Sequence, residues 1–553
     1  MLPVPAQTVG GGDIFDTIQR GNIDQCADII QLDRSTLRQK GWGGFTPLHY
    51  TAYQGNRALT ELLLSNGADP NTPCDTGLTP FHFACRNGNV SIMHQMLQHG
   101  ADVQTVDHQG KTALHHSVAG GNVLAIQYLN ETGMFRFADT DRFQLTPLHL
   151  AASTGNSDVV RYLLRNDRCA ADAADQQGAT PLHVAAEKGA VEVSWLLLRE
   201  AGLRILHLRN RQGLTPYDLC RQGTTYRHQQ LTQILKKFIN EPTDQKPKES
   251  YGMYYWTLLF PSVSGAVILL IAARLGGYGG VFCALLFPWL ARSILSQYHR
   301  INSHQGLPNP VYVGTLTAGV FHTSVCFYYK ILPNIWPAPT LLHVSIVHFS
   351  AVLWLFRKVL TKNPGQLQPE DADPRFSSIM SLVEANESSR FCIYCEIFQP
   401  DSCKHCRLCN MCVLDYDHHC LFLNQCVGRG NHRLFLFFIL SMAAAHLVFL
   451  YAAGCYLLAR YAAAAALSRP AWGAVVGAEA WVLVLTAMNA LTFAWECWLL
   501  AEQFEAVSMG TTTYFKRGGR SQRPLWRRWR TAVSFLLEGK RPRLPHGAVF
   551  QAV

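Results

Sequence analysis

Hydrophobic and polar positions obey two different rules along this chain, and the rule changes near residue 250. Before that point, short apolar clusters alternate with Gly, Asn and Asp, and one pattern recurs. It reads TPLHYTAYQGN from Thr46, TPFHFACRNGN from Thr79, TALHHSVAGGN from Thr112, TPLHLAASTGN from Thr146 and TPLHVAAEKGA from Thr180, with a degenerate TPYDLCRQG from Thr215. Start-to-start spacings are 33, 33, 34, 34 and 35 residues. Pro at the second position suits a helix start, where its missing N–H is not needed. The Gly of QGN or NGN stops that helix, and NGAD from Asn66 stops a second one. Each unit is therefore expected to be a pair of short helices. From Tyr254 onward the apolar residues gather into six runs, at about 254–273, 278–296, 311–332, 338–356, 434–458 and 475–500. Each is near the roughly 20 residues that a helix needs to cross a bilayer.

The period and the T-P-L-H-x-A core resemble the ankyrin repeat. A weaker helix pair, DIFDTIQRGNIDQCADII from Asp13, precedes the first full match and is expected to cap the stack, giving about seven repeats. The resemblance implies a binding surface, with protein substrates docking on the concave groove. His49, His82, His115, His149 and His183 fall at the same turn in successive units. They read as framework residues and not as metal ligands.

With six spans, both termini and the loops 297–310 and 357–433 share one side of the membrane. That side carries Lys236, Lys237, Lys246, Lys248, Arg300, Arg357, Lys358 and Lys362 close to the spans. The tail from Glu502 adds ten Lys/Arg against three acids. The other side offers Arg274, Lys330, Arg460 and Arg469. The positive-inside rule places the repeats, the long loop and both termini in the cytosol. Much of the net charge of +10 thus belongs to a flank facing anionic lipid, and no nucleic-acid partner is expected. The opening MLPVPAQTVGGGD lacks a basic region followed by an apolar core, so no cleaved signal peptide is expected. In the tail, PLWRRWRTAVSFLLEG mixes Trp526, Trp529, Phe535 and Leu536 with arginines, as an interfacial helix would.

Of 17 cysteines, eight lie between Cys392 and Cys426, interleaved with three histidines, which reads as metal binding in a reducing compartment. The spacing is C-x2-C-x9-H-C-x2-C-x2-C, then D-H-H-C, then five residues and a final Cys. Eleven candidate ligands exceed the eight that two closed tetrahedral zinc sites use, so three are left over. If His418-His419-Cys420 is extended, alternate side chains point opposite ways. His418 and Cys420 then share a face, and His419 is free to bind metal. A neighbouring His makes a thiol nucleophilic. Asp417 can orient His418 only if the chain bends before the strand.

From Cys392 to Phe435, including NQCVG and Asn431, the segment resembles the cysteine-rich domain of the DHHC protein acyltransferases. Ankyrin repeats before six spans, with the cluster between the fourth and fifth, resemble the huntingtin-interacting branch of that family. The resemblance implies transfer of palmitate from palmitoyl-CoA to cysteines of substrate proteins. It implies that Cys392, Cys395, His405 and Cys412 hold one zinc, and that Cys406, Cys409, His419 and Cys426 hold another. Cys420 is then the acylated nucleophile, His418 its base and Asp417 the orienting carboxylate, with Cys403 a non-ligand. The chain departs from the family where Leu421-Phe422 replaces Pro-Trp, at Gln399 and Ser402 where basic residues are usual, and at Phe515, where Thr-Thr-x-Glu loses its acid.

The expected fold is all-α: a solenoid, then a six-helix transmembrane domain with a small zinc-binding loop domain between spans four and five. Expected boundaries are 1–238 for the repeats, 239–253 for a linker, 254–356 for spans one to four, 357–433 for the zinc domain, 434–500 for spans five and six, and 501–553 for the tail. A multi-pass endomembrane protein of the Golgi is expected. Three other readings compete. A cation channel needs a re-entrant pore segment, and between spans five and six this chain has ARYAAAAALSRPAWGA. A RING-like ubiquitin ligase leaves the DHHC arrangement unexplained. The alternative kept open is a weak or inactive membrane-anchored ankyrin adaptor.

Overall fold

The computed structural model describes residues 13–247, 251–275, 310–335, 339–467, 471–516 and 524–539. They form two compact units. One combines the chain up to Lys248 with Asp373–Phe398, and the other holds Glu249–Ala372 and Gln399–Val553.

In the first unit, helix pairs follow the repeats, from Ile14–Arg20 with Ile23–Leu32 to Pro216–Gln222 with Tyr226–Phe238. Their starts show what TPLH does. Thr46 caps helix Pro47–Gln54 with Pro47 in its first turn. The Thr46 N–H donates to His49 Nδ1 at 3.1 Å, and the ring's Nε2 meets the Leu78 carbonyl of the next unit at 3.0 Å. Because Nδ1 accepts, Nε2 carries the proton and donates. His82, His149 and His183 repeat the arrangement toward the Thr105, Ala179 and Leu214 carbonyls. Each histidine thus ties one repeat to the next. Burial holds all of these rings below the usual histidine range, and His49 falls to about 4. At Gly88, φ is 72° and an added Cβ would lie 2.1 Å from Asn122 Cγ, so the turn between the paired helices requires glycine.

Asp373–Phe398 closes this unit from far along the chain. Phe376, Ile379, Leu382, Val383 and Phe391 are buried in the same apolar core as the repeats. The short helix Ile379–Glu384, which carries three of them, packs on the second helices Val90–Gln98 and Val123–Glu131. Burying each such side chain contributes about 1.5–3 kcal/mol. Polar contacts fix the register. The Ile379 N–H donates to Glu131 at 2.7 Å, Tyr394 Oη to Asp158 at 3.1 Å, and Arg168 pairs with both Glu396 oxygens at 2.8 and 2.6 Å.

The second unit is built on long apolar helices: Tyr251–Leu275, Val311–Val325, Pro339–Thr361, His432–Ala466 and Ala471–Ser508. After Val325 a π-helical turn, Cys326–Ile331, carries the chain into Leu332–Ile335. Among the described residues, Leu342–Thr361, His432–Ala466 and Ala471–Ser508 are long and apolar enough to cross a membrane. The expected second span, 278–296, lies outside the described residues. Two helices run well past the expected spans 434–458 and 475–500. At 35 residues, His432–Ala466 is about 52 Å long, beyond the roughly 30 Å of a hydrocarbon core. Hydropathy marks only the part that bilayer thickness selects. The alanine run Ala462–Ala466, of the strongest helix former, continues the helix beyond it. Leu491 and Tyr451 remain 74% and 71% exposed, an apolar outer surface suited to lipid.

The tail helix Leu525–Glu538 is amphipathic and packed on one side. Ala532 and Phe535 are buried, while Trp526, Trp529 and Leu537 stay exposed. Arg433 donates to the Leu536 and Leu537 carbonyls at its C-terminal end, at 2.6 and 2.7 Å.

Candidate functional site

Two antiparallel hairpins carry most of the cysteine-rich cluster. Lys404–Cys406 pairs with Met411–Val413, and His418–Cys420 pairs with Gln425–Val427. Their turns place Asn410 and Asn424 at φ of 50° and 49°, a left-handed conformation that asparagine tolerates. Register sets the chemistry, because His419 lies opposite Cys426 and Cys420 opposite Gln425.

His419 Nδ1 lies 3.6, 3.3 and 3.7 Å from the Sγ atoms of Cys406, Cys409 and Cys426, and Cys426 Sγ is 3.4 Å from Cys409 Sγ. A zinc at about 2.3 Å from sulfur and 2.0–2.1 Å from nitrogen needs tetrahedral edges of about 3.5–3.8 Å, so the three Cys and one His fit the ion. Within the second unit His405 also faces Cys412 across the first hairpin, with Cys412 Sγ 3.7 Å from His405 Nδ1, and the Cys392 and Cys395 pair belongs to the first unit. The group of Cys406, Cys409, His419 and Cys426 can hold a metal ion. Cys403 is buried and is not among them.

His418 points the other way from His419, as strand alternation requires. Its Nδ1 is 2.7 Å from Asp417 Oδ2, and Cys420 follows two residues on along the same strand. Desolvation lowers the imidazole's pKa, but the bond to Asp417 and the neighbouring Cys420 outweigh that effect and push it up to about 9. Burial raises the Asp417 carboxyl, yet the bond to His418 holds it well below the usual carboxylate range. The bend that Asp417 needs lies at Asp415, whose φ is 47°. Ser402 donates to Asp415 Oδ1 at 2.6 Å and Arg429 to its Oδ2 at 2.9 Å, so this bend is braced from two sides.

Other groups on Asp417 come from far along the sequence. Its Oδ1 accepts from the Thr513 N–H at 2.8 Å, and its Oδ2 accepts from Gln503 Nε2 at 2.7 Å. Thr512 Oγ1 donates to the Tyr416 carbonyl at 2.7 Å. The paired threonines give a sequence signal. Gln503 gives little, since Glu502 and Glu505 flank it at the end of a long apolar run. Asn431 locks the following loop by donating to the Cys426 carbonyl at 2.9 Å and accepting from the Gly428 N–H at 3.0 Å.

Cys420 opens into a cavity of about 410 Å³, also lined by Leu316, Phe435, Phe438, Ile439, Met442 and Trp495. A polar pair, His446 and Glu496 at 2.8 Å, interrupts the otherwise largely apolar wall. Phe422 is held between the rings of Tyr312 and Trp495, at 5.7 and 5.6 Å. Leu421 is exposed. The departure at this pair therefore keeps an aromatic wall at the cavity mouth.

Residues 385–517 match the family model for DHHC palmitoyltransferase, and residues 48–137 and 134–207 match that for ankyrin repeats. Among solved structures, the ankyrin repeat domain of Bcl-3, a member of the IkappaB protein family, is 23% identical with a TM-score of 0.33. It covers 41% of this chain and 99% of its own. The human ASB11 ankyrin repeat domain is also 23% identical, with a TM-score of 0.36, covering 42% of this chain and 100% of its own. A search of curated proteins gave no match. The chain joins an ankyrin-repeat array to a DHHC palmitoyltransferase domain.

Proposed function

We propose that the protein is an integral-membrane S-acyltransferase that moves palmitate from palmitoyl-CoA to cysteines of substrate proteins through an acyl-Cys420 intermediate. The observation that carries this reading is Cys420 on the same strand as His418, which is itself held by Asp417, with Cys420 lining an apolar cavity. His418 Nδ1–H donates to Asp417, which leaves Nε2 to take the Cys420 proton. The thiolate attacks the thioester carbonyl of palmitoyl-CoA, a C–S bond to Cys420 forms, and the C–S bond to CoA breaks. The leaving thiolate takes the proton from His418. A substrate cysteine then attacks the acyl-Cys420 carbonyl and returns the enzyme thiol. One thioester replaces another at each step, so no energy source is required. Burial of the acyl chain in the cavity contributes about 0.8 kcal/mol per CH₂.

Cys406, Cys409, His419 and Cys426 would hold one zinc and Cys392, Cys395, His405 and Cys412 the other. Bound metal would stabilise these hairpins. Six spans around a cytosolic zinc-binding segment complete the proposal. The ankyrin groove recruits protein substrates by raising the local concentration of the target cysteine. The test is incubation of purified, metal-loaded protein with labelled palmitoyl-CoA, resolved without reducing agent. A hydroxylamine-labile label, absent in Cys420→Ser, is expected. An unlabelled, folded wild-type protein would return the reading to a membrane-anchored adaptor.

A further inference from the structure

Gln503 is 1% exposed, on the last long helix, 86 residues from the carboxylate it touches. Its two amide ends meet partners that leave no choice of orientation. Asp417 Oδ2 can only accept, so the amide nitrogen faces it, at 2.7 Å. The amide oxygen then faces His432 Nε2 at 2.6 Å, so His432 must carry its proton there and donate. His432 is 1% exposed and begins the preceding long helix, with its ring 5.3 Å from that of Phe535 on the tail helix. Two buried polar side chains from two long helices are therefore spent on one bond to the carboxylate that orients His418. A carboxylate held only by His418 and the Thr513 N–H could pivot about its own side chain. The third bond removes that freedom.

We propose that Gln503 is a positioning residue for acyl transfer: its amide, fixed by His432, clamps Asp417 and so aims the His418 ring at Cys420. This rests on the acyltransferase reading above for its purpose, and on geometry alone for its existence. The hydroxyls and backbone of Thr512 and Thr513 hold the same loop. Gln503 adds the only side-chain amide bond to Asp417 among the described residues.

The experiment compares the full-length, metal-loaded wild type with Gln503→Met, which keeps volume but loses both hydrogen bonds. It also compares His432→Gln, which can still donate, with His432→Phe, which cannot. Two rates are measured: alkylation of Cys420 by iodoacetamide, followed by mass spectrometry, and acylation by labelled palmitoyl-CoA over a concentration series. Gln503→Met should lower both rates by about tenfold, as loss of a group that orients a catalytic residue does. KM for palmitoyl-CoA and metal content should not change, which places the defect in the chemical step. His432→Gln should stay near wild type, and His432→Phe should match Gln503→Met. Wild-type rates in Gln503→Met, or an equal fall in both His432 variants, would overturn the proposal. If Gln503→Met does not fold, the His432 pair decides the same question. Should palmitoyl-CoA leave the wild type unlabelled while the alkylation differences stand, the acyltransferase reading fails and the clamp survives.

Discussion

The framework histidines of the repeats and His418 of the DHHC segment are anchored through the same ring nitrogen, with opposite results. In His49, Nδ1 accepts from the Thr46 N–H and Nε2 donates to a carbonyl, so both nitrogens are occupied and burial keeps the ring neutral. In His418, Nδ1 faces a carboxylate, and the ring is pushed to about 9 with Cys420 on its other side. A backbone donor at Nδ1 makes a histidine into a strut. On the proposed function, a carboxylate there makes it a base with its far nitrogen turned to a thiol. The partner of one nitrogen, more than the residue type, separates architecture from chemistry.

The largest effect should come from the proposed base. His418→Ala is expected to reduce acyl-Cys420 formation by roughly 10²–10⁴-fold while metal content stays normal, read from labelled palmitoyl-CoA and metal analysis. Cys409→Ser should do the reverse at first hand, losing one metal ion per chain and loosening the hairpins, with activity falling as a consequence. Metal analysis that finds a full complement in Cys409→Ser would contradict the ligand set.

Acid should act on the array in a direction set by its neutral rings. The folded His49 resists protonation down to about 4, whereas the unfolded chain binds a proton near the ordinary value. Stability therefore falls as pH drops below about 6.5 and stops falling below about 4, a loss of roughly 2 kcal/mol for such a histidine at pH 5. Hydrogen exchange of the repeat amides at pH 7 and pH 5 measures this, and equal protection at both would refute it. At pH 7, His82→Ala should cost the array about 1–3 kcal/mol, since it strands the Thr79 N–H and the Thr105 carbonyl. Acylation of Cys420 should be unchanged. Cys403→Ser should have the smallest effect, with metal and activity both retained.

Much of this contrast is written locally in the sequence. Thr46 to His49 is a capping unit within four residues, and strand alternation alone turns His418 from His419. The remainder depends on distance along the chain. Gln503 meets Asp417 only because two long helices bring their ends together, and nothing in a run of apolar residues marks which polar one turns inward. The apolar positions of 376–383 are too few to announce a helix that packs against repeats more than 200 residues earlier. Helix ends at Ala466 and Ser508 were hidden for another reason, since hydropathy reports membrane thickness and not helix length.

That late segment has a consequence for how the protein is made. The repeat unit includes Asp373–Phe398, yet the chain between Lys248 and Asp373 must be synthesised first. At 5–20 residues per second, that interval lasts about 6–25 s. Throughout it, a finished stack of repeats waits with the strip that Phe376, Ile379, Leu382 and Val383 will cover still open to water. That strip therefore stays uncovered until the ribosome has delivered the start of the cysteine-rich segment.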